Sequence, residues 1–388
     1  MDFTFFLNLL DWVIFVLVAL SVLYLILYGI ASRFYREKHF PDSSDFRKVL
    51  ILFPAYKEDA VILDSVRNFL LQDYPKDLYE LVVISDHMQD STNEAIRQLP
   101  VTLLEVTFEQ SSKAKALNFA MDQYEFDSFD IVTILDADNL VDPTYLAVIN
   151  NAFSMGVKAL QAHRIAKNMQ TGVAVFDAVS EEVNHSIFRK GHCALGLSSA
   201  LVGSGMAFDY KWFRDNVSSL KTAGEDKELE ALLLQQSVKI EYLESLLVRD
   251  EKTSQYQVYS NQRQRWLSAQ YTMMMSNLKK IPMCIRTQNI NYLDKIIQWM
   301  LLPRMVMFGL TGLMAFLVLI INVESSIKWF VLVLLLIGLF VVATPGELLM
   351  TFIQKSWKTI PKLCLMMFLN FFRIKKGKKF IHTPHGQE

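Results

Sequence analysis

Two carboxylates, Asp136 and Asp138, flank Ala137 directly after the apolar run DIVTIL at 130–135. Carboxylates two residues apart at a strand end can share one hard cation. Mg²⁺ or Mn²⁺ takes oxygen ligands and keeps positions open for phosphate oxygens. Such a cation neutralises the charge that develops on a departing diphosphate. An isolated Asp-x-Asp is equally a solvated turn; its place behind a buried strand favours the metal. Pro54-Ala55-Tyr56-Lys57-Glu58 follows the run KVLILF at 48–53 and can hold a nucleoside, while Asp86 follows ELVVIS at 80–85 and can accept from the N–H of a base such as uracil. Both segments also fit a helix N-cap or turn. Glu225-Asp226 opens the helical segment AGEDKELEALLL. Acidic residues suit a helix start for dipole reasons alone, but a carboxylate here can also take a hydroxyl proton as general base. Asp226 is the better candidate. Gln262-Arg263-Gln264-Arg265-Trp266 gathers amide, cation and aromatic ring. Arg265 can pair with a diphosphate and Trp266 offers a stacking wall, and the same five residues also suit an amphipathic helix at a membrane.

These groups need elements to hold them. The runs 48–53, 80–85, 101–106 and 130–135 read as strands, and 59–71 and 113–123 as helices. Strands alternate with helices and polar residues cluster behind strand ends. That is the pattern of an open parallel α/β sheet, which binds ligands at the carboxyl ends of its strands. The 388 residues carry a net charge of −1, so no basic field points to nucleic acid. Cys193, Cys284 and Cys364 lie far apart with no CxxC pair, which argues against a thiolate metal site or a disulfide framework and for reduced thiols.

The hydrophobic share, 52%, is concentrated at the two ends. Residues 12–31 contain no charge and are long enough to cross roughly 30 Å of hydrocarbon. The preceding segment carries Asp2 and Asp11 and no Lys or Arg, which suits an uncleaved anchor (1–32) better than a signal peptide. Arg33, Arg36, Lys38, Arg47 and Lys48 follow it, so the positive-inside rule places 46–285 in the cytosol. Residues 286–302 form an amphipathic interfacial helix. A transmembrane hairpin follows at 303–345, with only NVESS between its apolar runs. The stretch 347–372, interrupted by Lys355, Lys358, Pro361 and Lys362, reads as a helix in the interface rather than a fourth span. The segment 346–388 ends in a basic cytosolic tail bearing His382 and His385, which could gate the active site or lie at a disordered end. The expected location is the plasma (inner) membrane, with several passes.

In this order the motifs resemble glycosyltransferase family 2, in the membrane-integrated branch that includes cellulose, hyaluronan and poly-N-acetylglucosamine synthases and ceramide glucosyltransferase. The resemblance covers about residues 46–345 and rests on Pro-Ala-Tyr-Lys-Glu, Asp86, Lys113 with Ala116-Leu117-Asn118, Asp-Ala-Asp, Gly203-Ser204-Gly205, Glu225-Asp226 and Gln-Arg-Gln-Arg-Trp. Lys57 stands where the family usually has Asn, and Lys113 follows Ser-Ser rather than Gly. The resemblance implies a GT-A fold, an α/β nucleotide-diphospho-sugar transferase domain with a Rossmann-like mixed sheet, plus transmembrane and interfacial helices. It implies inverting transfer of a hexose or N-acetylhexosamine from a UDP-sugar, with Mg²⁺ or Mn²⁺. The donor site would comprise Pro54, Tyr56, Glu58, Asp86 at the uracil, Lys113 near the diphosphate, Asp136 and Arg265. Asp138 would hold the metal together with Asp136, and Gly203, Ser204, Gly205, Gln262 and Trp266 would line the acceptor side. Asp226, beside Glu225, would be the base. The expected acceptor is a growing polysaccharide, or alternatively a membrane lipid receiving one sugar; an inactive membrane scaffold is a poorer fit to the intact carboxylates. Membrane or export subunits are possible partners of such a chain.

Overall fold

The structure is a computed structural model that describes residues 3–222 and 224–372. The basic tail with His382 and His385 lies outside the described residues. Strand β1 (Val49–Tyr56) is almost wholly buried, and its alternation divides the core. Val49, Ile51 and Phe53 point to one face of the sheet, Leu50 and Leu52 to the other. Helix α1 (Phe3–Ala31) precedes this strand. After it come α2 (Ile62–Phe69), β2 (Tyr79–Asp86), α3 (Asp90–Arg97), β3 (Thr102–Val106), α4 (Lys113–Met121) and β4 (Ile131–Ile134). These four strands lie parallel in the order β3-β2-β1-β4. Strand order therefore reverses between β1 and β4, the switch point at which open α/β sheets form a crevice. Buried on both faces, such strands read as continuous apolar runs, which is why 48–53, 80–85 and 130–135 stand out in the sequence.

The rest of the sheet adds antiparallel pairings to this parallel half, in keeping with the mixed sheet that the resemblance implies. After β5 (Leu140–Val141), α5 (Tyr145–Ser154), β6 (Ala159–Ala166), α6 (Gly172–His185) and α7 (His192–Ala194) comes β7 (Met206–Asp209), which runs antiparallel to both β4 and β6. Helices α8 (Tyr210–Val217) and α9 (Glu225–Gln235) lead to β8 (Glu241–Asp250), which is parallel to β6 with a bulge between Ala162 and His163. The sheet is thus mixed, with eight strands ordered β3-β2-β1-β4-β7-β6-β8-β5.

The helical part begins with α10 (Tyr256–Asn277), α11 (Ile281–Arg286) and α12 (Ile290–Met300). Then α13 (Arg304–Ile321) and α14 (Val323–Ala343) form a hairpin turned by Asn322, whose side chain caps α14 at Ser325 N. The stretch expected to be one interfacial helix is two, α15 (Gly346–Lys355) and α16 (Ile360–Phe372), broken by a 3₁₀ turn at Trp357–Thr359. Among the described residues three segments, Phe5–Phe34, Arg304–Ile321 and Val323–Ala343, are long and apolar enough to cross a membrane. Their outward faces expose Leu17, Leu20, Phe316, Ile320 and Leu334. Their inward faces pack with α6, α15 and α16 in one apolar cluster containing Val22, Leu25, Trp329 and Leu336.

Candidate active site

The switch point brings the sequence-predicted residues together. Tyr56 ends β1, Asp86 ends β2, and Asp136 and Asp138 follow β4. A cavity of about 460 Å³ opens there. Pro54, Tyr56, Glu58, Asp86, Lys113, Asp136, Asp138, Gly203, Glu225, Asp226, Gln262, Arg265 and Trp266 all line it. Ser204 and Gly205 do not. Ser204 is fully buried and spent on structure: its Oγ donates to Asn139 Oδ1 and accepts from Asp136 N at 3.2 Å. Gly205 adopts φ 63°, and a Cβ there would lie 2.9 Å from Val248. Ser204 thus braces the Asp-x-Asp turn from behind, while Gly205 lets β6 and β8 pack closely beside it.

The charges are arranged around Lys113. Its Nζ pairs with Asp136, donates to Gly203 O at 2.6 Å and lies 3.9 Å from Glu225 Oε1. Burial works against its charge, but Asp136 and Glu225 outweigh burial and raise its pKa. Burial also pushes the Glu225 carboxyl up to about 7, with Asp226 and Asp136 adding to the rise and Lys113 opposing it. Asp226 lies 3.6 Å from Lys227 Nζ. Asp86 Oδ1 receives His87 Nδ1 at 2.6 Å. Gln262 has a buried Oε1 with no hydrogen-bond partner among the described residues, and it lines the cavity.

Asp138 is nearly buried and oriented by two donors, Glu251 N at 2.6 Å and Asn139 Nδ2 at 3.2 Å. Among the described residues no group of three or more His, Cys, Asp or Glu side chains forms a closed cation site. Two carboxylates with open neighbouring space instead match a hard cation that takes its remaining ligands from phosphate and water. Mg²⁺ or Mn²⁺ would fit the donor set on those terms, and Asp138 and Asp136 are the residues that could hold it.

The sequence reading passed over a second tier. Arg164 at the end of β6 lines the cavity and pairs with Asp250 at 2.5 Å and Glu181 at 3.2 Å; Lys252 pairs with the same two carboxylates. Burial raises Asp250 to about 6 against the pull of Arg164 and Lys252. Asp250 ends β8 as Asp86 ends β2, and Glu251 follows it, so a carboxylate behind a strand was the available signal. Glu230 and Lys295 form a buried pair at 2.8 Å and line the cavity from α9 and α12. The guanidinium of Arg263 pairs with Asp177 and lies 4.3 Å from the Trp266 ring centroid, so one neighbour of that ring is already a cation.

The sequence profile of the family described as Glycosyltransferase like family 2 matches residues 47–269. The Probable glycosyltransferase YdaM of Bacillus subtilis (strain 168) is 26% identical over 99 residues, and the match spans only 23% of that relative's length and 24% of this chain. Among solved structures, mannosyltransferase PcManGT from Pyrobaculum calidifontis, in complex with GDP-Man and Mn²⁺, aligns over 85% of this chain and 96% of its own, with TM-score 0.54 and 16% identity. The S. aureus TarS 1-349 structure with UDP-GlcNAc aligns over 88% and 98%, with TM-score 0.46 and 14% identity.

Proposed function

This chain belongs to glycosyltransferase family 2 and is a glycosyltransferase of GT-A fold, and from that premise we propose that it moves a hexose or N-acetylhexosamine, with inversion, from a UDP-sugar to an acceptor hydroxyl held at the membrane. One observation carries the reading: a single cavity joins the carboxylates of the switch point to a chamber between the apolar helices. PcManGT, solved with GDP-Man and Mn²⁺, supports a nucleotide diphosphate sugar and a divalent cation. The choice of uracil rests on Asp86, buried at the end of β2.

In this reading Asp86 and the Pro54–Glu58 segment hold the nucleoside. Lys113 and Arg265 flank the diphosphate. Asp136 and Asp138 would hold Mg²⁺ or Mn²⁺, which would supply charge neutralisation for the leaving group. Asp226 takes the acceptor hydroxyl proton as the oxygen bonds to the anomeric carbon and the bond to the β-phosphate oxygen breaks, releasing UDP. Gln262 and Trp266 seat the acceptor end, with Gln262 Oε1 available to a hydroxyl donor. The basic residues from Arg33 to Lys48 support a cytosolic catalytic domain on an inner-membrane protein, with α1, α13 and α14 spanning and α12, α15 and α16 at the interface.

A growing polysaccharide and a membrane lipid are the two acceptor classes. The inner chamber favours the lipid, because Leu25, Phe308, Leu336, Leu339 and Phe340 offer apolar surface where a sugar chain needs polar groups and exposed rings. The purified full chain, given UDP- and GDP-sugars with Mn²⁺ and extracted membrane lipid, is expected to release UDP and form a glycolipid. A polymer ladder would refute the lipid acceptor. Asp226→Asn is expected to lower turnover about 10²–10⁴-fold; unchanged UDP release would remove Asp226 as base.

A further inference from the structure

Arg304 is the first residue of α13 and lines the cavity where its polar half meets its apolar half. Its Nη2 donates to Ser180 O at 2.9 Å and to Asn184 Oδ1 at 2.8 Å, both uncharged. Its Nη1 is enclosed and has no partner among the described residues. The neighbouring charge is that of Arg263, which is of like sign and is already paired with Asp177. Arg164 and Lys252 pair with Asp250 and Glu181, and buried Arg189 stands by the same cluster and donates to Leu201 O. Among the described residues, then, no carboxylate pairs with Arg304. A guanidinium enclosed beside apolar helices calls for an anion with several acceptor oxygens. Past it, the walls are Leu25, Phe308, Leu336, Leu339, Phe340 and Met367.

We infer that this inner half of the cavity binds an anionic lipid, with its hydrocarbon chains between α1, α13, α14 and α16 and a phosphate or phosphodiester group on Arg304. The inference rests on the membrane-acceptor reading above, since chamber and transfer centre are one cavity. It adds that the acceptor is selected by charge as well as by tail. A neutral lipid would fill the walls and leave Arg304 Nη1 without a partner. A soluble phosphate would meet Arg304 and leave the walls bare.

Binding is to be measured by native mass spectrometry on the delipidated full chain in detergent without any nucleotide sugar, so a failed transferase assay leaves the outcome intact. The probes are phosphatidylglycerol, diacylglycerol with the same acyl chains, and glycerol phosphate. Phosphatidylglycerol is expected to bind about tenfold or more tighter than diacylglycerol, as a charge-assisted bond implies. Glycerol phosphate is expected not to be retained. Arg304→Lys should keep most of the preference and Arg304→Gln should lose it. Asn184→Asp leaves the arginine in place but gives it an internal carboxylate, and it too should abolish the preference. Equal binding of the two lipids by the wild-type chain, retention of glycerol phosphate alone, or a preference that survives both Arg304→Gln and Asn184→Asp would overturn the inference.

Discussion

Glu225 and Asp226 are adjacent in sequence but stand in different surroundings. Asp226 faces Lys227, whereas Glu225 is buried, 8% exposed, and raised to about 7 by that burial. The raised value has a consequence for stability. Between an ordinary carboxylate range and pH 7 the folded chain keeps the Glu225 proton and the unfolded chain has released it. The stabilisation is therefore fully present below the unfolded pKa and is lost as pH rises towards 7, amounting to up to about 3 kcal/mol. Thermal unfolding of Glu225→Gln should show a flatter decline than wild type between pH 4.5 and 7. Some slope should remain, because Asp250, raised to about 6, titrates in the same direction. Identical slopes in both proteins would place the shift elsewhere. Lys57 shows another local rule. It adopts φ 56°, a left-handed conformation in which Asn is several-fold enriched among non-glycine residues. That gives a backbone reason for the Asn usual at this position, apart from any contact its side chain makes.

Between elements, the most demanding contact joins α1 to the π-helical turn Ser186–Gly191. A Cβ on Gly191 would stand 2.1 Å from Tyr28 O, a backbone atom that cannot rotate away. The same Tyr28 ring stacks on His192 at 3.6 Å between centroids, and its hydroxyl donates to Asp294 on α12 at 2.9 Å. Tyr24 donates to Asp294 at 2.7 Å. Since α12 also carries Lys295, Gln298 and Trp299 into the cavity, the position of α1 is transmitted to the half of the cavity proposed to take the acceptor. Gly191→Ala should cost about 2 kcal/mol or more by overpacking and raise the acceptor KM more than the donor KM. An unchanged melting temperature would show that α1 shifts freely. This linkage was not legible in the sequence. The strands with continuous apolar runs were, and so were Asp136 and Asp138, because each motif directly follows its strand. Strand β8 reads EYLESLLVRD, with charges inside it, and pairs with β6 across a bulge, so no regular alternation announces it. Arg164, Asp250, Glu230, Lys295 and Arg304 meet only through sheet order and helix packing, and no local spacing encodes that meeting.

At the scale of the whole molecule, α1 is either a tether for a self-sufficient domain or a wall of the enzyme. The two readings differ in what α1 buries. Val18, Val22, Leu25 and Tyr28 are all buried, in the apolar cluster that α1 forms with α14 and the π-helical turn. Leu25 lines the cavity itself. At the opposite end of the helix Asp11 pairs with Lys328 and accepts from Trp329 Nε1 at 2.8 Å, fixing α1 against α14. A tether needs neither end fixed. Deleting residues 1–31 should therefore not release a soluble transferase. It should open the cavity on the side of Leu25, expose the His192 face that Tyr28 covers, and leave Asp294 with two of its donors removed. Losing donors to a buried carboxylate costs about 1–3 kcal/mol each, and four large side chains leave the cluster at the same time. The expected product is an aggregating chain without UDP release, read by size-exclusion chromatography and donor turnover. A monodisperse deletion chain that releases UDP at the wild-type rate would show α1 to be only an anchor, and the chamber next to Arg304 would then have to close without it.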